Sequence, residues 1–408
     1  MKVEGHVTVG FEPVADEVAR IAGDGLESGG ALAVHLDGRP VVDVWFGQAG
    51  PSRLWDADTA CVMLSASKAI IVLCAQILVE RGVLDLEAPV AAYWPEFAAA
   101  GKSRVLVRHV LTHTAGVLTF PRYWDVIGPD GMELADWPAV TQRLAAAPAS
   151  WPPGTAFQYT PLTFGYLMGE LIRRSDGRSI GQFVADELAG PLGLHLWIGV
   201  PDKVQERVAR LVPEAPAENI RWARLQERTD HRARELVRRG HELHPDAGPY
   251  AGVFLGPEQT GSTGHLARLM NDPRLREAEI PACNAISTAR SVSRLYAALS
   301  LDGALDGVRL VSADSIEQFV DPEPSPGSAP SGFGLGYMKL PMITLARPGE
   351  LSVRPSEGTF GHSGAGGALA FADRSNRLAF AYLKNRMLRF PTPTYDLVRA
   401  VYRCLGSR

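Results

Sequence analysis

Cysteine is scarce in this chain: four among 408 residues, at positions 61, 74, 283 and 404, with no CxxC pair. Thiols so far apart suit reduced, structural cysteines in a reducing compartment better than a disulfide framework or a zinc site. Long hydrophobic runs are missing too. The longest, Ala69 to Val79, is broken by Gln76 and falls well short of the roughly 20 residues that span a bilayer. The net charge is only −4 and the pI near 6.2, which gives no basis for nucleic acid or membrane as a partner. Met1 to His6 show no basic-then-apolar leader pattern, so the expected location is cytoplasmic. Internal repeats and low-complexity tracts are absent, and the Pro/Ser-rich stretch 322–331 is short. Lysine is the other rarity, at six of 41 basic residues, the rest being arginine.

What remains is an ordinary globular composition, 46% hydrophobic and 21% charged, long enough for one large core or two modest ones. Phe11 to Gly23 reads as an amphipathic helix presenting Val14, Val18 and Ile21. Ala31–Leu36 and Val41–Phe46 read as strands joined by an Asp37-Gly38 hairpin turn. A buried helix opened by Ser65 ends near Gly82, and helices follow near 104–112, 137–146, 162–174 and 179–188. Toward the other end come a helix over Ser287–Ser300, strands over Gly332–Leu340, Thr359–Gly361, Ala368–Ala372 and Arg377–Leu383, and a last helix over Tyr395–Cys404. This order predicts an α/β domain built from both chain ends, 1–85 and 285–408, with an all-helical domain, 86–284, inserted between them. Within the insertion, 203–250 carries nine arginines between Arg207 and Arg239 interspersed with glutamates. It reads as a solvated helical face or, more sharply, as a lid over a site.

The most informative residues are Ser65-Ala66-Ser67-Lys68 at the mouth of the apolar run. One helical turn apart, the Ser65 hydroxyl and the Lys68 amine come within reach of each other. Burial lowers a lysine's pKa and turns it into a proton acceptor able to activate a serine. Arginine could not be deprotonated there, so lysine at this position favours chemistry over ion pairing.

A serine–lysine pair at this spacing resembles the serine β-lactamase and penicillin-binding-protein superfamily. Further elements follow in the superfamily's order. They are Arg108-His109-Val110-Leu111-Thr112-His113-Thr114-Ala115-Gly116, then Trp151 to Tyr159, then Gly361-His362-Ser363-Gly364-Ala365-Gly366-Gly367. The resemblance spans roughly residues 8 to 405 and is nearest to the class C β-lactamase-like family VIII carboxylesterases. It implies a β-lactamase-like antiparallel sheet flanked by helices, an acyl-enzyme formed on Ser65, and a base role shared by Lys68 and Tyr159. It also implies an oxyanion hole from the backbone N–H groups of Ser65 and Ala365, and substrate contacts from His362, Ser363 and Gly364. No cofactor or metal is implied. Which of Lys68 and Tyr159 carries the proton is a coupled titration that sequence leaves open.

Two departures bear on the substrate. In class C β-lactamases an asparagine two positions after the tyrosine helps hold the substrate's amide; here Tyr159-Thr160-Pro161 offers proline. His362 stands where the superfamily has a lysine that helps bind a carboxylate. Both weaken β-lactam and D-peptide readings, and the expectation is a carboxylesterase acting on small acyl esters. The alternative is acyl transfer to a second small molecule, an alcohol or amine; a non-catalytic sensor is a further reading. Three other motifs fail. Gly361 to Ala365 is no hydrolase elbow, since no histidine follows it. His109 and His113 have zinc-ligand spacing without the metalloprotease glutamate, and Gly332-Phe333-Gly334-Leu335-Gly336 leads into a strand pattern rather than a helix.

Overall fold

The computed structural model describes residues 1–25, 27–119, 130–213, 263–321, 332–339, 355–388 and 392–406. Strands β1 (Val3–Val7), β2 (Gly29–Leu36) and β3 (Arg39–Gly50) come from the start of the chain. β4 (Met338–Lys339), β5 (Phe360–Ser363), β6 (Leu369–Asp373) and β7 (Leu378–Lys384) come from its end. They form one antiparallel sheet in the order β1-β3-β2-β7-β6-β5-β4, with the short strand Arg53–Leu54 added on β3. The two chain ends meet at the β2–β7 seam, where Val34 faces Phe380 and Ala33 faces Ala381.

Alternation along the strands sorts the side chains into two layers. On one face Leu32, Val34, Phe371, Phe380 and Tyr382 pack under helix α1 (Glu12–Gly23) and the final helix Thr392–Gly406, which supply Val14, Val18, Leu397 and Val401. On the other face the strands offer Ala33, Ala370, Ala372, Ala379 and Ala381. These small residues let the helix Ala289–Ser300 lie close on the sheet, and His35 Nδ1 meets Ser293 Oγ at 2.8 Å across that contact. The same core holds α2 (Ser67–Glu80), which touches β5 and is buried from Ser67 to Leu78 because it is apolar almost all round. Among the described residues no helix is long and apolar enough to cross a membrane.

Several expected elements shift. The helix near 104–112 is only α3, Val107–Leu111. The one near 179–188 is α-helical over Ile180–Val184 and then widens into a π turn over Ala185–Ala189. The expected strand from Gly332 is reduced to Met338–Lys339, because Gly334 and Gly336 make turns: Gly334 N–H bonds Tyr337 O at 2.9 Å and Gly336 takes φ +84°. Leu340 lies outside the described residues, as do 214–250 of the arginine-rich run and 322–331. The described part of that run closes with Val212–Pro213, paired in parallel with Arg386–Met387.

Candidate active site

Ser65 does not cap α2. It sits inside a single 3₁₀ turn, Leu64–Ala66, that feeds the helix, and its side chain makes no capping bond. Leu64 enters this turn at φ +50°, a left-handed conformation that is strained for a bulky residue by about 1–3 kcal/mol. The segment after Cys283 fixes the turn, since Met63 N–H donates to Ala285 O at 2.8 Å and Ala285 N–H to Ser67 Oγ at 3.0 Å. Ala66 N–H closes the turn on Met63 O at 3.2 Å, leaving the Ser65 N–H at a position with no acceptor inside the helix.

One turn along, Lys68 is fully buried, and its Nζ lies 3.4 Å from Ser65 Oγ and 3.1 Å from the Ala282 carbonyl. Among the described residues no carboxylate pairs with it. Burial therefore pushes the Lys68 pKa down to about 7, with the Cys283 thiol opposing slightly. Burial likewise pushes the Cys283 thiol up to about 12 and keeps it protonated.

Tyr159 arrives from the opposite side on the stretch that precedes α4 (Thr163–Asp176). Its phenol hydrogen-bonds Ser65, and the Lys68 ammonium position lies 5.0 Å from its ring centre. Burial raises the Tyr159 pKa above the ordinary tyrosine value, and the bond to Ser65 offsets this only in part. The α4 helix can come this close because Gly165 packs on the 282 segment. A Cβ there would lie 2.3 Å from the Ala282 nitrogen, so the same contact positions both the tyrosine stretch and the carbonyl that holds Lys68.

The third element is the end of β5. His362 is 1% exposed, and its Nδ1 donates to the Ser363 carbonyl at 2.7 Å. Burial and then Lys68 hold its pKa down to about 3, so at neutral pH the ring carries no charge. Its Nε2 is buried with no partner among the described residues. Gly364 brings the turn after β5 against the serine's turn: a Cβ on Gly364 would fall 2.3 Å from the Met63 carbonyl. This close approach lays Gly364, next to Ala365, against the residue that leads into the Leu64–Ala66 turn, and Gly364 N–H and Gly367 N–H close the loop on Ala368 O (2.7 Å) and Gly364 O (3.0 Å). Ser363 Oγ faces Met338 Sδ at 3.7 Å.

The sequence-expected residues Ser65, Lys68, Tyr159, His362, Ser363, Gly364 and Ala365 thus come from three separate elements around α2's entrance. Two participants escaped sequence reading. The Ala282 carbonyl is a backbone group with no signature. His113, part of the Arg108–Gly116 segment and at zinc-ligand spacing from His109, has no role assigned by its sequence, yet it lies 4.8 Å from Tyr159 between ring centres. Nδ1 of His109 instead accepts the Leu106 N–H at 3.1 Å. Among the described residues no cluster of three His, Cys, Asp or Glu side chains could hold a metal ion.

Known proteins share this fold. The family description "Beta-lactamase" matches residues 16–402. The esterase/beta-lactamase LipL of Mycobacterium tuberculosis is 35% identical over 372 residues, covering 88% of this chain and 77% of that protein. A penicillin-binding protein homolog from Caulobacter crescentus superposes with a TM-score of 0.79 at 29% identity, covering 99% of this chain and all of the other. A family VIII carboxylesterase superposes with a TM-score of 0.78 at 30% identity, again covering 99% of this chain and 100% of the other. The chain belongs to the beta-lactamase family.

Proposed function

We propose that this protein is a carboxylesterase that hydrolyses small acyl esters through an acyl-enzyme on Ser65. The observation that carries the reading is the fully buried Lys68 amine, 3.4 Å from Ser65 Oγ and lowered to a pKa of about 7. In the proposed sequence, the neutral amine takes the Ser65 proton as Oγ attacks the ester carbonyl. Tyr159 stays protonated and passes a proton to the leaving alkoxide, recovering one from Lys68. The Ser65 and Ala365 N–H groups hold the oxyanion. Water then attacks the acyl-enzyme by the same route in reverse and releases the acid.

Two features support an ester over a β-lactam. Pro161 supplies no carboxamide for the substrate's amide, and His362 is neutral where a cation would attract a carboxylate. We also propose that the chain divides into 1–85 with 285–408 and an inserted 86–284, a division supported by a sheet drawn from both chain ends. Four free, buried cysteines support work in a reducing, cytoplasmic setting. The test is turnover of p-nitrophenyl butyrate beside nitrocefin, with mass spectrometry for the acyl adduct. Turnover of the ester and its loss in Ser65→Ala are expected. Faster nitrocefin cleavage would overturn the ester preference, and acylation of an added alcohol in preference to release of free acid would replace hydrolysis with acyl transfer.

A further inference from the structure

The stretch carrying Tyr159 has no regular secondary structure from Ala156 to Thr160, yet it must hold a phenol in register with Ser65. One residue holds its backbone on both sides of the tyrosine. The His113 carbonyl accepts the Gln158 N–H at 3.1 Å. The His113 ring accepts the Thr160 N–H at Nδ1, 3.2 Å away. One histidine therefore grips the backbone on both sides of Tyr159, and its ring lies 4.8 Å from the Tyr159 ring between them. Phe164 backs the same imidazole at 4.8 Å, so the ring has no room to swing.

The chemistry of these contacts fixes the ring's tautomer. A peptide N–H only donates, so Nδ1 must present its lone pair, and the Thr160 hydroxyl at 2.7 Å donates to that same lone pair. The proton then sits on Nε2, which is buried with no partner among the described residues. His113 also takes φ +57°, a left-handed region that few residues other than glycine occupy, asparagine, aspartate and histidine being the commonest exceptions. An unpaired buried donor and a left-handed backbone both work against stability. A purely structural position would be served as well by asparagine, which accepts at the same place and tolerates the same backbone conformation.

We propose that His113 is the positioning residue of Tyr159, its neutral imidazole setting the phenol's register against Ser65 through Thr160. This rests on the esterase reading above. His113 touches no reacting atom in this scheme; it acts through Tyr159 alone. Two substitutions separate its parts. His113→Asn keeps an acceptor near the place of Nδ1 and tolerates the left-handed backbone but loses the ring. His113→Phe keeps a ring against Tyr159 but leaves the Thr160 N–H and hydroxyl unpaired.

The experiment measures KM and kcat for p-nitrophenyl butyrate, kcat being normalised to the fraction of chains labelled at Ser65 by a fluorophosphonate, alongside the melting temperature. His113→Phe is expected to lose about 10²-fold in kcat with KM nearly unchanged, the size of effect that an ångström of misplacement produces. His113→Asn is expected to recover about tenfold of that loss. Equal losses in both variants, a change confined to KM, or losses that follow melting temperature would overturn the proposal. Should the Phe variant not fold, His113→Ala against His113→Asn makes the same comparison. A wild-type chain that labels at Ser65 but cleaves no ester would overturn the ester reading alone, and the labelling rates of the variants would then decide on His113. A wild-type chain that neither labels nor turns over overturns both.

Discussion

Two lysines of this protein are buried at different places around the same sheet, and they are treated in opposite ways. Lys384 ends β7, and its ammonium pairs with Glu27 just before β2, the two side chains being 1% and 0% exposed. Lys68 is as deeply buried but has a hydroxyl and a carbonyl as neighbours, and no carboxylate among the described residues. Desolvation is common to both sites, so the carboxylate is the difference. A buried amine given a counter-charge has reason to keep its proton. With only neutral acceptors beside it, Lys68 has its pKa pushed down to about 7 by burial. The Glu27 side of the pair feels the same burial, which raises its carboxyl to about 7 against the pull of Lys384. Lys102 is a third case, buried with its amine donating to the carbonyls of Ala99, Ala145 and Ala147, where it ties loop ends together.

The comparison can be broken most forcefully at Lys68. Lys68→Met should lower kcat/KM by about 10³-fold or more while raising stability by about 1–3 kcal/mol, since an unpaired buried amine is replaced by an apolar chain. Parallel measurement of turnover and urea unfolding would check both. The linkage sign agrees: the folded pKa of Lys68 lies below its unfolded value, so the unfolded chain holds the extra proton between about pH 7 and pH 10.5. This group's contribution to stability should therefore rise with pH across that window in wild type and vanish in the variant.

Lys384→Met should do the reverse. It strands Glu27 in the interior and should cost about 3–5 kcal/mol, with turnover per folded molecule unchanged. Adding Glu27→Leu should recover much of that loss, as judged by the urea midpoint. A Lys384 variant that lost activity but not stability would erase the distinction between the two lysines.

A smaller effect sharpens the contrast within the wild-type chain. Catalysis by a neutral amine requires that kcat/KM fall about tenfold per unit below the Lys68 pKa and level off above it. With that pKa near 7, the break is expected between pH 6 and 8 in a rate profile on a neutral ester. A break near pH 10 would assign the titration to an unperturbed lysine or tyrosine instead.

Much of this was legible in the chain. The Asp37-Gly38 turn, the all-round apolar α2 and the short apolar runs at 368–372 and 377–383 pointed to the sheet and its buried helix, because each is a local pattern. The spacing from Ser65 to Lys68 put a hydroxyl within reach of an amine, and the two lie 3.4 Å apart. The rarity of lysine was a weaker guide than it looked: Lys102 and Lys384 are buried too, and their partners, loop carbonyls and a carboxylate some 357 positions away, have no local signature. His113 was missed for the same reason. Its partners Gln158 and Thr160 are more than forty residues distant, and only the fold brings them to it. The 332–340 segment misled because glycines at 334 and 336 serve turns as readily as strands.

The central claim is that Lys68 holds no charge when it meets a substrate above neutral pH. With only six lysines in the chain, selective ¹³Cε-lysine labelling gives a spectrum simple enough to assign Lys68 by its disappearance in Lys68→Met. Following that signal against pH should show a transition centred near 7. A Lys68 that stays protonated until about pH 10, like a free lysine, would contradict the account.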